Sequence, residues 1–332
     1  MTSRYDENDY ESYERPRRRT RPRTKDRPSY DDAVGAVVVT VDRGRYTCRL
    51  TAADETEDHI VLAMKSRPLG RQGVVVGDHV RLVGDTSGVD GSLARIVTVD
   101  ERRTVLRRTA DDDDPVERVI VANVDQLVVV TALADPEPRT GLIDRALVAA
   151  YDAGMDPLLC LTKSDLADPA PLLASYQPLG VPYVVTQRGD DLTDLATRLA
   201  GRTSVLLGHS GVGKSTLVNA LVPEARREIG VVNAVTGRGR HTSVSALMLA
   251  LPGGGWIVDT PGIRTFGLAH VQPDDLIKAF PDLLDLTGDC PRGCTHGEDE
   301  PECGLDEATG ADAERVRSFR RLLAAREAAS TY

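Results

Sequence analysis

TSVLLGHSGVGKSTLVNALV, residues 203–222, decides the fold. An apolar run ending at Leu207 reads as a buried strand. Gly208, His209, Ser210, Gly211, Val212, Gly213, Lys214 and Ser215 then fit G-x-x-x-x-G-K-[ST], and residues 216–222 continue as a helix. Strand, glycine-rich loop and helix in that order let backbone N–H groups wrap a phosphate chain at a helix N-terminus. In such a loop Lys214 reaches the β- and γ-phosphates and acts in catalysis, while Ser215 binds Mg²⁺.

Outward from this loop the chain alternates. QLVVVTAL (126–133) is a continuous apolar strand, and residues 142–155 place apolar side chains at helical spacing. DPLLCLTKSD (156–165) and VPYVVT (181–186) read as further strands, 191–200 as a helix and WIVDT (256–260) as a last strand. Buried strands separated by helices mean an α/β, doubly wound parallel sheet. Its ligands belong at the carboxyl ends of the strands, where the polar motifs fall.

Asp259-Thr260-Pro261-Gly262 ends one such strand. Asp259 there holds Mg²⁺ through water, and the Gly262 N–H senses the γ-phosphate. VTGRGRHTSV (235–244) lacks periodicity and reads as a mobile loop, with Thr242 a second Mg²⁺ ligand that closes when the γ-phosphate is present. The bland alternative is an ordinary exposed loop; Arg238, Arg240 and His241 favour a phosphate or RNA contact. Thr162-Lys163-Ser164-Asp165 is the base-reading element. The Asp165 carboxylate accepts from guanine N1–H and the 2-amino group, donors that adenine does not present in that arrangement. Thr162 stands where Asn is usual, its hydroxyl available to tether the loop. Thr186-Gln187 is the candidate backbone contact to guanine O6.

The base-reading motif precedes the phosphate loop, the reverse of the common order, so the domain is circularly permuted; joined termini leave such a sheet intact. The segment after Asp259 then runs directly into the C-terminal domain. Ile263 occupies the place where Ras-like enzymes carry a catalytic Gln, which implies slow intrinsic hydrolysis, with His241 the candidate for orienting water.

Four further regions complete the 332 residues. Residues 1–33 are polar, with Arg15, Arg17, Arg18, Arg19, Arg21, Arg23, Lys25 and Arg27 interrupted by prolines; they read as a disordered tail, solubilising or RNA-binding. Residues 34–108 hold five short strand-like runs parted by turns, the strand number of an all-β OB-fold barrel. An acidic linker, 111–114, leads to the GTPase domain, 116–268. In 269–332, Cys290, Cys294, His296 and Cys303 supply three thiolates and an imidazole, the set of a closed structural zinc site in a small α domain. The helix after it, 312–327, is basic through Arg315, Arg317, Arg320, Arg321 and Arg326, a solvated or an RNA-facing surface. Net charge is −10, which argues against a nucleic-acid coat protein but not against local RNA contact. No run of apolar residues is long enough to span a bilayer, and the N-terminus lacks an apolar leader segment, so a cytoplasmic monomer without membrane contact is expected.

Together, ANVDQLVVV (122–130), LIDRALVAA (142–150), LTKSDL, GHSGVGKSTLVNAL, GRGRHTSV, DTPGIRTFGL (259–268) and the Cys-His cluster resemble the ribosome small-subunit-dependent GTPase A family of bacterial circularly permuted GTPases, over roughly 34–325. The resemblance implies an OB-fold, a permuted GTPase domain and a zinc domain. It implies GTP and GDP binding with Mg²⁺, and hydrolysis stimulated by the small ribosomal subunit and its rRNA, in late subunit maturation. It assigns nucleotide contacts from Gly208 to Thr216, to Thr162, Lys163 and Asp165, and from Asp259 to Gly262, with Thr242 as switch. Two other readings remain: a nucleotide-gated RNA-binding module with negligible turnover, and a P-loop ATPase or kinase, which the T-K-S-D motif opposes.

Overall fold

The computed structural model describes residues 30–51, 59–70, 72–111, 114–223, 246–260 and 273–330. His241, Thr242 and Gly262, with nearly all of the Arg-rich leader, lie outside the described residues.

All five expected barrel strands are present: β1 (Val34–Asp42), β2 (Arg45–Leu50), β3 (Ile60–Lys65), β4 (His79–Gly84) and β5 (Ala94–Val99). The sheet closes because β1 pairs with both β2 and β4, and β3 runs parallel to β5, itself antiparallel to β4. Side chains alternate, so Ala36 and Val38, Tyr46 and Cys48, Val61 and Ala63, Val80 and Leu82, Ala94 and Ile96 fill the interior. Burial pushes the Cys48 thiol up to about 12, which leaves it an inert core residue. Between Val38 and Thr40 the β1–β2 register shifts, and Val39 is the extra residue. A bulge of this kind re-aims a side chain, and Val39 leaves the barrel for the core of the neighbouring layer.

A hairpin follows, β6 (Val105–Asp111) and β7 (Asp114–Ala122), where the sequence pointed only to an acidic linker. Asp111 and Asp114 pair at its last described rung, and Arg107, Arg108 and Thr109 hide the alternation that would have marked a strand.

The second layer contains β8 (Gln126–Ala132), β9 (Asp156–Thr162), β10 (Tyr183–Val185), β11 (Thr203–Leu207), β12 (Leu247–Ala250) and β13 (Trp256–Asp259). Their order is β10-β9-β8-β11-β13-β12, parallel except for β12. Every β8 residue is buried because both faces are covered. Leu127 and Val129 meet Ile143 and Leu147 of α1 (Thr140–Asp152). Val128 and Val130 share the opposite core with α3 (Thr193–Leu199) and α4 (Lys214–Leu221); a single turn, α2 (Ala170–Leu173), lies between α1 and α3. The chain runs outward from β8 to β10 and then returns to place β11 on the other flank of β8. The β8/β11 junction is thus the topological switch point, where a ligand crevice opens.

At the C-terminal end come α5 (Pro273–Ile277), α6 (Pro281–Asp285), a 3-10 turn (Gly304–Glu307) and α7 (Ala311–Ser330). Val316, Phe319, Leu322 and Leu323 form the apolar stripe of α7, which packs on α1. Phe280 lies edge-on to both Tyr151 (4.9 Å) and Phe319 (5.4 Å). The basic look of α7 is largely inward business. Arg321 binds the buried Asp144 carboxylate and the Ser175 carbonyl, Arg315 the Pro178 carbonyl and Asp282, and Arg320 Asp306 and the His296 carbonyl. These three arginines hold protein to protein. Among the described residues no helix is long and apolar enough to cross a membrane.

Candidate nucleotide site and Cys-His cluster

The loop between β11 and α4 takes its shape from glycine. A Cβ on Gly208 would stand 2.2 Å from the Val130 carbonyl oxygen, so only glycine lets the chain leave β11 against β8. Gly213, at φ +97°, turns the backbone into α4. Lys214 folds back over the loop, its Nζ donating to the carbonyls of Gly208 (2.5 Å) and His209 (2.9 Å). Val212 is anchored in the core, while Ser210, Ser215 and Thr216 face solvent.

Asp259 ends β13 directly beside Leu206, and the Thr260 hydroxyl donates to the Leu206 carbonyl (3.0 Å). Burial lowers the Lys214 pKa, with Asp259 pulling it back up; burial raises that of Asp259, with Lys214 pulling it back down. In both groups desolvation exceeds their mutual attraction, so neither charge is fully compensated. A ligand bringing anionic oxygens to Lys214 and a cation to Asp259 relieves both deficits.

Thr162 ends β9 and its hydroxyl donates to the carbonyl of Val212 (2.7 Å), inside the phosphate loop. The T-K-S-D segment and the glycine-rich loop, 46 residues apart by their first members (162 and 208), are thereby joined. Lys163, at φ +58°, donates from Nζ to the Asp135 carbonyl. Ser164 N–H donates to the Thr186 carbonyl (3.2 Å), which brings Thr186 and Gln187 alongside the same loop. Asp165 is exposed there. The sequence reading missed the 133–139 loop as a wall of this site. Its signal was the turn-forming Asp135-Pro136 pair, and Pro136 lies 3.7 Å from where a Cβ on Gly211 would be.

At the other end, the ligand atoms of Cys290, Cys294, His296 and Cys303 all lie within 4.8 Å of one another. His296 Nδ1 is 3.7, 3.4 and 3.8 Å from the three sulfurs in turn. Metal–sulfur bonds of about 2.3 Å and a metal–nitrogen bond of about 2.1 Å, set tetrahedrally, require S···N edges of about 3.6 Å. The cluster fits. Gly293, at φ +81°, turns the chain between the first two cysteines, and Gly304 N–H donates to Cys290 Sγ (3.2 Å). A Cβ on Gly304 would stand 2.3 Å from the Leu286 carbonyl oxygen. Burial and the neighbouring thiols hold Cys294 well above the ordinary thiol range.

The RsgA GTPase family model matches residues 99–269. A relative in Pseudomonas fluorescens (strain SBW25), "Small ribosomal subunit biogenesis GTPase RsgA", is 41% identical over 263 residues, 76% of this chain and 74% of its own. The chain belongs to the RsgA GTPase family. It is a GTP-hydrolysing enzyme by that membership. A protein of the same description from Ectopseudomonas mendocina (strain ymp) is 45% identical over 217 residues, 62% of this chain and 63% of its own. Among solved structures, that of YjeQ from Thermotoga maritima aligns with TM-score 0.61 and 28% identity over 88% of this chain and 99% of its own. The structure of YloQ, a circularly permuted GTPase, aligns with TM-score 0.62 at 23% identity over 89% and 97%, and supports the fold alone. For this RsgA GTPase the permuted order and the closed barrel are therefore findings, and the Cys-His cluster is a group able to hold a metal.

Proposed function

We propose that this RsgA GTPase binds GTP and GDP between the 162–165 and 208–216 loops and hydrolyses GTP in late maturation of the small ribosomal subunit, stimulated by that subunit and its rRNA. The relatives' printed names support the process. The observation that carries the site is the Thr162 hydroxyl on the Val212 carbonyl, because it fixes base reading against phosphate binding.

Gly208, His209, Ser210, Gly211, Val212 and Gly213 offer backbone donors to the phosphates, with Thr216 on the first turn of α4. Lys214 exchanges its two carbonyl acceptors for the β- and γ-phosphates. Asp165 reads guanine, and Lys163 holds the 133–139 loop beside the base. Ser215 and Thr242 hold Mg²⁺, and Asp259 does so through water. When bound, Mg²⁺ neutralises the charge that develops on the phosphates. Gly262 would sense the γ-phosphate through its N–H and His241 would orient the water, both being assigned from the sequence alone. Cys290, Cys294, His296 and Cys303 would hold zinc, which would tie the lobe together. We place the protein in the cytoplasm as a monomer, with no membrane contact.

Replacing Asp165 by Asn tests the site. Guanine affinity should fall by about a hundredfold, since a carboxylate pair of hydrogen bonds is lost, and xanthine nucleotides should bind better than guanine ones. Unchanged guanine preference in the Asp165→Asn protein would remove residues 162–165 from the base site.

A further inference from the structure

The barrel holds the hairpin that carries Asp259 at both ends. β12 and β13 form a hairpin whose register sets Leu247 opposite Asp259 and Ala250 opposite Trp256. On the barrel side, Thr40 of β1 pairs with Leu247, and its hydroxyl donates to the Ala246 carbonyl (3.1 Å). Thr40, Leu247, Asp259 and Leu206 therefore stand in one row across β1, β12, β13 and β11. Two strand spacings, about 10 Å, separate a barrel threonine from the carboxylate facing Lys214. The bulge at Val39 makes this possible, since it sends Val39 into the core that also holds Met248 and Val258 and leaves Thr40 facing β12. At the other end of the hairpin, the Arg49 guanidinium of β2 lies 4.6 Å above the ring of Trp256.

We propose that Thr40 and Arg49 are positioning residues for GTP hydrolysis: by pinning both ends of the β12–β13 hairpin, the barrel fixes where Asp259 meets Lys214. The inference rests on the assignment of Asp259 and Lys214 to the nucleotide site. A strand free to slide or tilt would move Asp259 relative to the phosphate loop, and a displacement of about 1 Å costs up to a hundredfold in rate without removing any phosphate contact. Thr47 sits directly opposite Thr40, and its buried hydroxyl has no partner among the described residues. The barrel is more than a platform; it sets the register of the catalytic sheet edge.

The test uses the full-length chain, single-turnover GTP hydrolysis, GTP binding and the fluorescence of Trp256, the one tryptophan in the sequence. Thr40→Val and Arg49→Ala should each slow hydrolysis about tenfold while GTP affinity stays within about twofold. Thr40→Ser and Arg49→Lys, which keep the hydroxyl and the cation, should restore the rate to within about twofold. Trp256 emission should differ between the GDP and non-hydrolysable GTP states in the wild type, and that difference should vanish in Arg49→Ala. Wild-type rates in both Thr40→Val and Arg49→Ala overturn the proposal. So does an equal loss in Thr40→Ser, which would mean packing alone; if Thr40→Val fails to fold, the Arg49 pair decides. Lys214→Ala serves as the separate control: undiminished hydrolysis there would sink the nucleotide-site assignment rather than the barrel's part in it.

Discussion

The two candidate sites of this protein are built from opposite materials. The nucleotide site is made of backbone: Gly208 against the Val130 carbonyl, Lys214 on two carbonyls of its own loop, Thr162 on the Val212 carbonyl. A sheet packed on both faces holds that backbone in place. The Cys-His cluster is made of four side chains drawn from 14 residues, with one 3-10 turn between it and α7. Its sulfurs and nitrogen converge at S···N separations that suit a tetrahedral cation.

The largest expected effect tests that contrast. Stripping metal with a strong chelator, or replacing Cys303 by Ser, should unfold the lobe locally, because a structural tetrahedral site contributes on the order of 10 kcal/mol. Amide hydrogen exchange across 286–307 should become unprotected, while protection across 203–222 and GDP affinity remain as in the wild type. Equal loss of protection in both regions would show that the two sites share one cooperative unit, and no loss in either would remove the metal from the account.

The same contrast explains what could be seen in the sequence. The phosphate loop and the cluster are local: each is a short string whose residue types carry their own chemistry, and both were legible. So were β8 and β9, since burial on both faces leaves the middle of each strand, residues 127–130 and 158–161, an unbroken apolar run. The β6–β7 hairpin was hidden behind its charged residues, and β12 is four residues long, with no flank of its own to mark it. Contacts made across long separations were also illegible. Nothing in residues 139–145 announces that Asp144 will meet Arg321, 177 positions later. Nor does the arginine pattern of α7 reveal that three of its members face inward.

Arg321 gives the intermediate effect. Asp144 is 4% exposed; burial raises its pKa, and Arg321 pulls it back down. Arg321→Ala leaves a buried carboxylate without its cation, at a cost of about 2 kcal/mol once the partial exposure of the arginine is discounted. The sign with pH follows from the raised carboxylate. A group held above its unfolded pKa favours folding at acid pH and loses that contribution as pH rises through its folded value. Removing Arg321 raises the folded value further, so the deficit should be small near pH 4 and should open toward pH 8. Urea unfolding at the two pH values measures it, and Asp144→Asn in the same chain should close the gap. A deficit independent of pH would mean that α7 is held by its apolar stripe, with the ion pair a bystander.

The smallest effect lies where the two halves of the nucleotide site touch. Thr162→Val keeps the volume and removes the hydroxyl, which leaves the Val212 carbonyl without that donor. One neutral hydrogen bond is worth about 1 kcal/mol, so GDP affinity should fall about fivefold, with little change in unfolding temperature. Thr162→Ser should bind like the wild type. Thr162→Asn, which restores the residue usual at this position, should bind at least as tightly if its amide reaches the same carbonyl. Should Thr162→Val bind GDP unchanged, the phosphate loop holds its shape from the sheet and the glycines alone, and the preformed character of this site owes nothing to the base-reading loop.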